Sequence, residues 1–321
     1  KIVFIDTLQV IHLYDVESGE MTEVDRGLWM TQGGLSNFTV SWSSDSRSFA
    51  YSRGLDNRQS AVFLYDATTG EQHQLTSGFV DSFNPVFDPD GKYLYYLSAR
   101  TFDPIYSSFD RTWIYANPTN IVAVPLRTDV SSPLAPRNDV EDSGEDEEED
   151  GDDEDKEEGK DEEKDDDAPK EAETVKIDFE GFEARAVVLP PEAGSYRNLA
   201  AVKGKVIYQR RPRTGSDSEK SPIVFWDLKE RKEKTIVDNA DAYGLSADGK
   251  KLIVLSNGNV AIVKVAPKQK MDKMLATSSM EMTVNPPEEW RQIFNDAWRL
   301  ERDFFYDPNM HGVDWPAMRE R

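Results

Sequence analysis

The chain has 321 residues, with 61 acidic and 38 basic side chains, three His, no Cys and a formal net charge of −23. The lack of Cys excludes disulfides, thiolate metal sites and a Cys nucleophile within it, while leaving the compartment open. Most of the charge lies in residues 139–173, where 23 acids and four Lys leave a net of only −4 for the rest. A remainder so nearly balanced lacks the clustered Lys and Arg that a nucleic-acid surface needs. No apolar run is long enough to cross a bilayer and no signal-peptide pattern opens the chain, so no membrane partner is expected.

Lys1 runs directly into an apolar strand pattern, and the chain stops at Arg321 shortly after a helical pattern begins, so it reads as an internal segment. The organising signal is a repeated turn. Asp45-Ser46-Arg47, Asp90-Gly91-Lys92, Lys203-Gly204-Lys205 and Asp248-Gly249-Lys250 precede the strand-like runs 48–52, 93–98, 206–208 and 252–256. Gly accepts positive φ without a Cβ clash, which suits a tight hairpin. The turn centres advance by 45, 113 and 45 residues, one period with 68 residues inserted in the middle copy. A further strand follows in each copy, at 61–66, 121–126, 223–227 and 260–265, and an N-terminal copy enters halfway at 2–5 and 10–15. Five copies of several short strands predict an all-β fold, a β-propeller of four-stranded antiparallel blades. Five blades are fewer than such a ring needs, so one or two more are expected before Lys1. A solenoid is the structural alternative, disfavoured because the turns specify antiparallel meanders.

The middle copy carries its extra residues in two parts. Residues 100–120 contain Phe102, Tyr106, Phe109, Trp113 and Tyr115 and are expected to pack as an ordered loop. Residues 139–173 have no aromatic and only Val140 as a β-branched residue, and their charges repel, which predicts an exposed, disordered insertion. Asp146, Glu148, Asp150, Gly151 and Glu157 fall at spacings resembling an EF-hand loop, but no flanking helix is expected and a tract this acidic produces such matches by chance. Strand texture resumes at Val175-Lys176-Ile177 and continues to Leu189.

After Thr283 the period changes. Asn285-Pro286-Pro287 offers a capping side chain followed by Pro, and Trp290, Ile293, Phe294, Ala297, Trp298, Phe304 and Phe305 recur at helical spacing. An amphipathic helix over 288–305 is expected, then a turn at 306–309 and the cap of a second helix at 312–316. The division is therefore residues 1–284 as propeller blades and 285–321 as the start of an α-helical or α+β core domain. Trp226, Trp290 and Trp298 lie at strand or helix periodicity and are expected in cores.

The run Glu289-Trp290-Arg291-Gln292-Ile293-Phe294-Asn295-Asp296-Ala297-Trp298-Arg299, continuing through Asp303-Phe304-Phe305-Tyr306-Asp307-Pro308-Asn309-Met310-His311-Gly312-Val313-Asp314-Trp315, resembles the opening of the first core subdomain of the tricorn protease family. Val175–Gly181 and Gly194-Ser195-Tyr196-Arg197-Asn198-Leu199 resemble that family's second propeller, and the likeness covers essentially the whole chain. It implies a seven-bladed propeller in a large serine peptidase that degrades peptides, with a PDZ-like insert in its core and a hexameric, cytoplasmic assembly. A periplasmic location is the alternative if a signal peptide precedes the segment. It also implies that the catalytic residues lie beyond Arg321, so this segment alone is expected to be inactive. His311 sits in the turn after the helix and takes a structural role.

Residue by residue, the chain shows no Gly-x-Ser-x-Gly elbow, and His12, His73 and His311 lack metal-ligand spacing, so no cofactor or metal is expected. His12 reads as a satisfied blade residue. Arg53, Arg100, Arg210 and Arg211 follow the same strand of three different blades, which places them at one mouth of a propeller channel, where a guanidinium attracts a peptide carboxylate. The bland counterpart is a set of solvated loop Arg residues. Three functions remain open: a substrate-gating propeller of a tricorn-like serine peptidase, the propeller of a prolyl-oligopeptidase-type enzyme, and a non-enzymatic interaction scaffold of the WD-repeat or TolB-like kind. The gating reading implies peptide substrates and a homo-oligomer.

Overall fold

A computed structural model of the chain describes residues 1–28, 38–136, 174–212, 216–277 and 279–320. The acidic insertion expected to be disordered, 139–173, lies outside the described residues, as does its EF-hand-like spacing. The first sheet contains β1 (Ile2–Ile5), β2 (Val10–Tyr14) and β3 (Met21–Arg26). The second contains β4 (Val40–Trp42), β5 (Ser48–Gly54), β6 (Ser60–Asp66) and β7 (Gln72–Gln74). The third contains β8 (Ser82–Phe87), β9 (Tyr93–Ser98), β12 (Asn120–Pro125) and β13 (Val187–Val188), with a separate hairpin, β10 (Ile105–Tyr106) and β11 (Trp113–Ile114), between β9 and β12. The fourth contains β14 (Ser195–Val202), β15 (Lys205–Arg211), β16 (Ile223–Asp227) and β17 (Lys232–Val237). The fifth contains β18 (Ala242–Leu245), β19 (Lys251–Ser256) and β20 (Asn259–Lys264). All pairings are antiparallel, and the five sheets are the five copies read from the repeated turns.

The sheets stack face to face as an open array of blades. The middle strands of the second, third and fourth sheets bury both faces, which is why their sequences are continuously apolar instead of alternating. In β9, Leu94 and Tyr96 point into the core shared with the second sheet, while Tyr95 and Leu97 point into the core shared with the fourth. In β16, Val224 and Trp226 face the third sheet while Ile223 and Phe225 face the fifth. A side chain buried to this degree contributes about 1.5–3 kcal/mol, and no sheet could bury both faces alone. The outer face of the fifth sheet instead leaves Ile253, Leu255 and Ile262 exposed, and that of the first leaves Ile2 and Phe4 exposed.

The repeated turns behave as their residues require. Gly91, Gly204 and Gly249 have φ of 64°, 72° and 70°, and Ser46 occupies the same region at 57°. Neighbouring blades are also tied along their inner strands. Phe87 N donates to Ser41 Oγ at 3.0 Å, Leu199 N to Asn84 Oδ1 at 2.8 Å, and the Tyr243 hydroxyl to the Asn198 carbonyl.

Several expectations change. The aromatic stretch 100–120 is ordered around β10 and β11 but does not pack into a blade, and Phe109 is 99% exposed. A two-stranded hairpin has no second layer, so its rings pair with one another: Tyr106 with Trp113 at 5.3 Å and Phe102 with Tyr115 at 5.7 Å. The strand texture expected from 175 to 189 shrinks to β13. Before it, Val175 and Ile177 pack on the core between the second and third sheets, while Asp178 N donates to Leu126 O and a 3-10 turn (Glu183–Arg185) follows. These residues strap across blades without joining a ladder.

The helix α1 runs over Pro286–Phe304, and α2 over Trp315–Arg319. Asn285 stands at the N-cap position of α1 without a side-chain capping bond, whereas Asp314 caps α2 by accepting from Ala317 N at 3.0 Å. Trp298 and Trp315 stack and exchange indole-to-carbonyl bonds of 3.0 and 3.1 Å, locking the two helices together. Trp226 is buried, but Trp290 is 65% exposed and its neighbours Ile293 and Phe294 are exposed with it, because nothing among the described residues covers that face of α1.

Candidate functional site

The four Arg residues singled out by strand position separate into two groups. Arg53 and Arg211 line a cleft of about 540 Å³ between the inner edges of the blades. Arg100 and Arg210 do not line it and are held by carboxylates. Arg100 donates to Tyr96 Oη at 3.2 Å and lies 3.5 Å from Glu183, and Arg210 donates to Glu233 at 2.6 Å. Arg53 is engaged as well: its Nε donates to Asp25 Oδ2 at 2.6 Å and its guanidinium lies 4.4 Å from the centre of the Phe63 ring. The partly buried Asp25 carboxylate also accepts from Tyr51 Oη at 2.8 Å and from Gln72 Nε2 at 2.6 Å, while burial and the neighbouring Asp25 charge push the Tyr51 hydroxyl upward.

A Tyr–Arg–carboxylate group therefore recurs in three blades: Tyr51, Arg53 and Asp25; Tyr96, Arg100 and Glu183; Tyr208, Arg210 and Glu233, in the last of which the Tyr208 hydroxyl also donates to Glu233. In each, a phenol on the strand after the repeated turn and a guanidinium two residues later (four in the third blade, where Arg100 lies just past β9) come within reach of an acid from another strand or strap. These groups satisfy polar atoms at the blade edges: Asp25 ties the first sheet to the second, Glu183 ties the strap to the third, and Glu233 ties two strands within the fourth. Arg211 makes no ion pair among the described residues.

Reasoning from strand position missed Arg197, which is on the preceding strand β14 and lines the same cleft. Its Nε donates to Gln209 Oε1 at 3.0 Å and its Nη2 to Asp241 O at 2.6 Å. Desolvation, together with the nearby Arg211 charge, holds its pKa below the usual Arg range. In the β14–β15 register Ser195 faces Arg211 and Arg197 faces Gln209, so the two guanidiniums are diagonal neighbours on one face. Asp81, also in the cleft, accepts from Ser60 N at 2.7 Å.

The inner strands β8 and β14 each carry a bulge, between Phe83 and Val86 and between Arg197 and Ala200. Asn84 and Asn198 sit in them with left-handed φ of 51° and 53°, a conformation Asn tolerates better than most residues. Both line the cleft and also a second cavity of about 420 Å³, where Val40, Pro85, Val86, Leu199 and Leu245 make the wall more apolar.

His12 is satisfied by Asp6, 2.9 Å from its Nε2. His311 contacts the Tyr306 hydroxyl and lies 3.3 Å from Asp307 in the turn after α1. Among the described residues no group of three or more His, Asp or Glu is placed to hold a metal, and no helix is long and apolar enough to cross a membrane.

The stacked antiparallel sheets, a polar cleft along their inner edges and the helices that follow them in the chain define a propeller module with a short helical C-terminal part. Residues 1–266 match the family described as the tricorn protease second beta propeller domain, and residues 286–321 match the tricorn protease C1 domain. The chain is 28% identical to tricorn protease homolog 1 of Streptomyces coelicolor over 96% of its own length and 29% of that protein. It is 26% identical to the tricorn protease of Thermoplasma volcanium over 94% of its length and 27% of that protein. A crystal structure of the tricorn protease superposes with a TM-score of 0.74 at 21% identity, covering all of this chain and 30% of that one. The chain belongs to the tricorn protease family, and it spans less than a third of the length of these relatives.

Proposed function

We propose that this chain is the substrate-gating propeller of a tricorn-like serine peptidase that hydrolyses peptides, with the catalytic residues outside these 321 residues. The observation that carries the reading is the cleft along the inner edges of the blades, lined by Arg53, Arg197 and Arg211 and meeting a second cavity beyond. A passage walled by paired backbone is rigid, so it admits extended chains and excludes folded ones. The match of residues 286–321 to the tricorn C1 domain supports this reading over a prolyl-oligopeptidase propeller or a scaffold.

The uncovered apolar faces of the first and fifth sheets are surfaces that further blades of a seven-bladed ring would bury. Domain limits of 1–284 and 285–321, a hexameric assembly and a cytoplasmic location belong to the same proposal. Arg211 is its electrostatic element: a guanidinium at the cleft with no carboxylate partner among the described residues, suited to a peptide carboxylate. Arg53 is already paired with Asp25 and holds the wall around it.

The test is Arg211→Gln in the full-length protein, assayed on matched peptides with free and amidated C-termini. A several-fold fall in kcat/KM for the free-carboxylate peptide, with the amidated one unaffected, is expected. Equal values for wild type and variant on both peptides refute the role of Arg211, and absence of any peptide hydrolysis by the wild type refutes the peptidase reading.

A further inference from the structure

Three residues line both cavities at the inner edges of the blades: Thr39, Asn84 and Asn198. They come from three consecutive sheets, Thr39 directly before β4, Asn84 in the bulge of β8 and Asn198 in the bulge of β14. The charged side chains of the cleft lie on one side of them and the apolar wall on the other. Where the two cavities meet, the passage is therefore bounded by short, neutral groups that can both donate and accept.

The bulges explain how the amides come to be there. A bulge removes one residue from the ladder and turns its side chain away from the sheet face that packs on the next blade. The left-handed conformation at these positions suits Gly best, yet both are Asn. For Asn84 the side chain has a visible task, since its Oδ1 accepts from Leu199 N, and among the described residues its amide nitrogen has no acceptor. For Asn198 the backbone carbonyl accepts from the Tyr243 hydroxyl. Its carboxamide is exposed to the passage and has no hydrogen-bond partner among the described residues.

We infer that Thr39, Asn84 and Asn198 form a collar that hydrogen-bonds the backbone of an extended polypeptide without regard to its side chains. An extended chain presents alternating N–H and C=O groups, and a carboxamide answers both, its Nδ2 donating to a carbonyl and its Oδ1 accepting from an amide. The ligand class is an unfolded peptide segment of any sequence. Selection by charge belongs to the mouth, where Arg197 and Arg211 lie, and the collar reads the main chain alone. This inference rests on the substrate-gating reading and adds to it the group of the substrate that is recognised.

Asn198→Gly tests it cleanly, because Gly keeps φ near 53° and removes only the carboxamide. Thr39→Val is the companion, removing one hydroxyl at similar volume. Both are made in the full-length protein, with fluorescence anisotropy of labelled 12-residue peptides, one neutral, one acidic and one basic, read without turnover. The double variant is expected to bind all three about five- to tenfold more weakly, as two lost neutral hydrogen bonds imply, with an unchanged thermal melt. Wild-type affinities retained in the double variant, no peptide binding by the wild type, or weakening confined to one charge class would each overturn the inference. Hydrolysis of the same peptides, followed separately, distinguishes its failure from that of the peptidase reading: binding weakened by the variant in a protein that never hydrolyses them sinks only the latter.

Discussion

Asp88 offers a sharp test of how the repeated turn is built. In the second and fifth blades the equivalent residue is Ser. Ser43 Oγ donates to Asp45 Oδ1 at 2.6 Å, and Ser246 Oγ donates to Asp248 Oδ1 at 2.5 Å. In the third blade the position holds Asp88, only 3% exposed, accepting from Lys92 N at 3.2 Å and facing the charge of Asp90. Burial, reinforced by Asp90 and opposed by the Lys92 N–H, pushes the Asp88 carboxyl up from 3.8 to about 6. Because the folded value exceeds the unfolded one, the stability associated with the neutral acid is fully present below about pH 4 and is lost as pH rises through about 6. That rise corresponds to about 3 kcal/mol at pH 8 and well under about 1 kcal/mol at pH 4. Asp88→Asn keeps the shape and supplies a neutral donor towards Asp90. In calorimetry of the full-length protein it is expected to raise the propeller transition by roughly 6–12 °C at pH 8, given about 2–4 °C per kcal/mol for a domain of this size, and to change it little at pH 4. A gain of equal size at both pH values, or none at pH 8, would refute the assignment of a buried neutral carboxyl.

Two further outcomes follow from the same packing. Asp25→Ala strips Tyr51, Arg53 and Gln72 of a shared acceptor and leaves the mostly buried Arg53 unpaired. A loss of about 3 kcal/mol in urea denaturation is expected, against about 1 kcal/mol for Tyr51→Phe. Gly91 and Gly204 share a left-handed turn conformation, but a Cβ on Gly91 would meet Val175 Cγ2 at 3.1 Å, whereas one on Gly204 meets nothing within 4 Å. Both Ala variants should carry the backbone cost of about 1–2 kcal/mol, and Gly91→Ala should show the larger drop in melting temperature. Equal drops would mean that the strap at Val175 yields freely.

The blades were legible because a propeller writes its architecture into local signals. The turns at Ser46, Gly91, Gly204 and Gly249 need residues that accept positive φ, and the middle strands must be apolar on both faces, so turn and strand recur at a period of 45 residues. The helix α1 was legible for the same reason: Trp290, Ile293, Phe294, Ala297 and Trp298 repeat at 3.6 residues whether or not anything covers them. Exposure was not legible. Trp226 and Trp290 look alike in sequence, yet one is buried between two sheets and the other faces outward, since burial depends on what stands opposite. The hairpin aromatics differ from core aromatics only in lacking a second layer.

The candidate site was half visible. Strand equivalence placed Arg53 and Arg211 at the cleft, but it could not show that Arg100 and Arg210 are held by Glu183 and Glu233, residues far away in the chain. Arg197, Asn84 and Asn198 carried no distinguishing local signal, because a bulge is a mismatch between two strands and neither strand records it alone. The period, the turns, the apolar strands and the amphipathic helix were thus determined by the sequence itself, through short-range sterics and patterning. Which guanidinium has no carboxylate partner among the described residues, which amides face the passage and which aromatics are covered were decided by the tertiary structure, because each depends on groups distant in the chain that only strand pairing and the stacking of blades bring within a few ångströms.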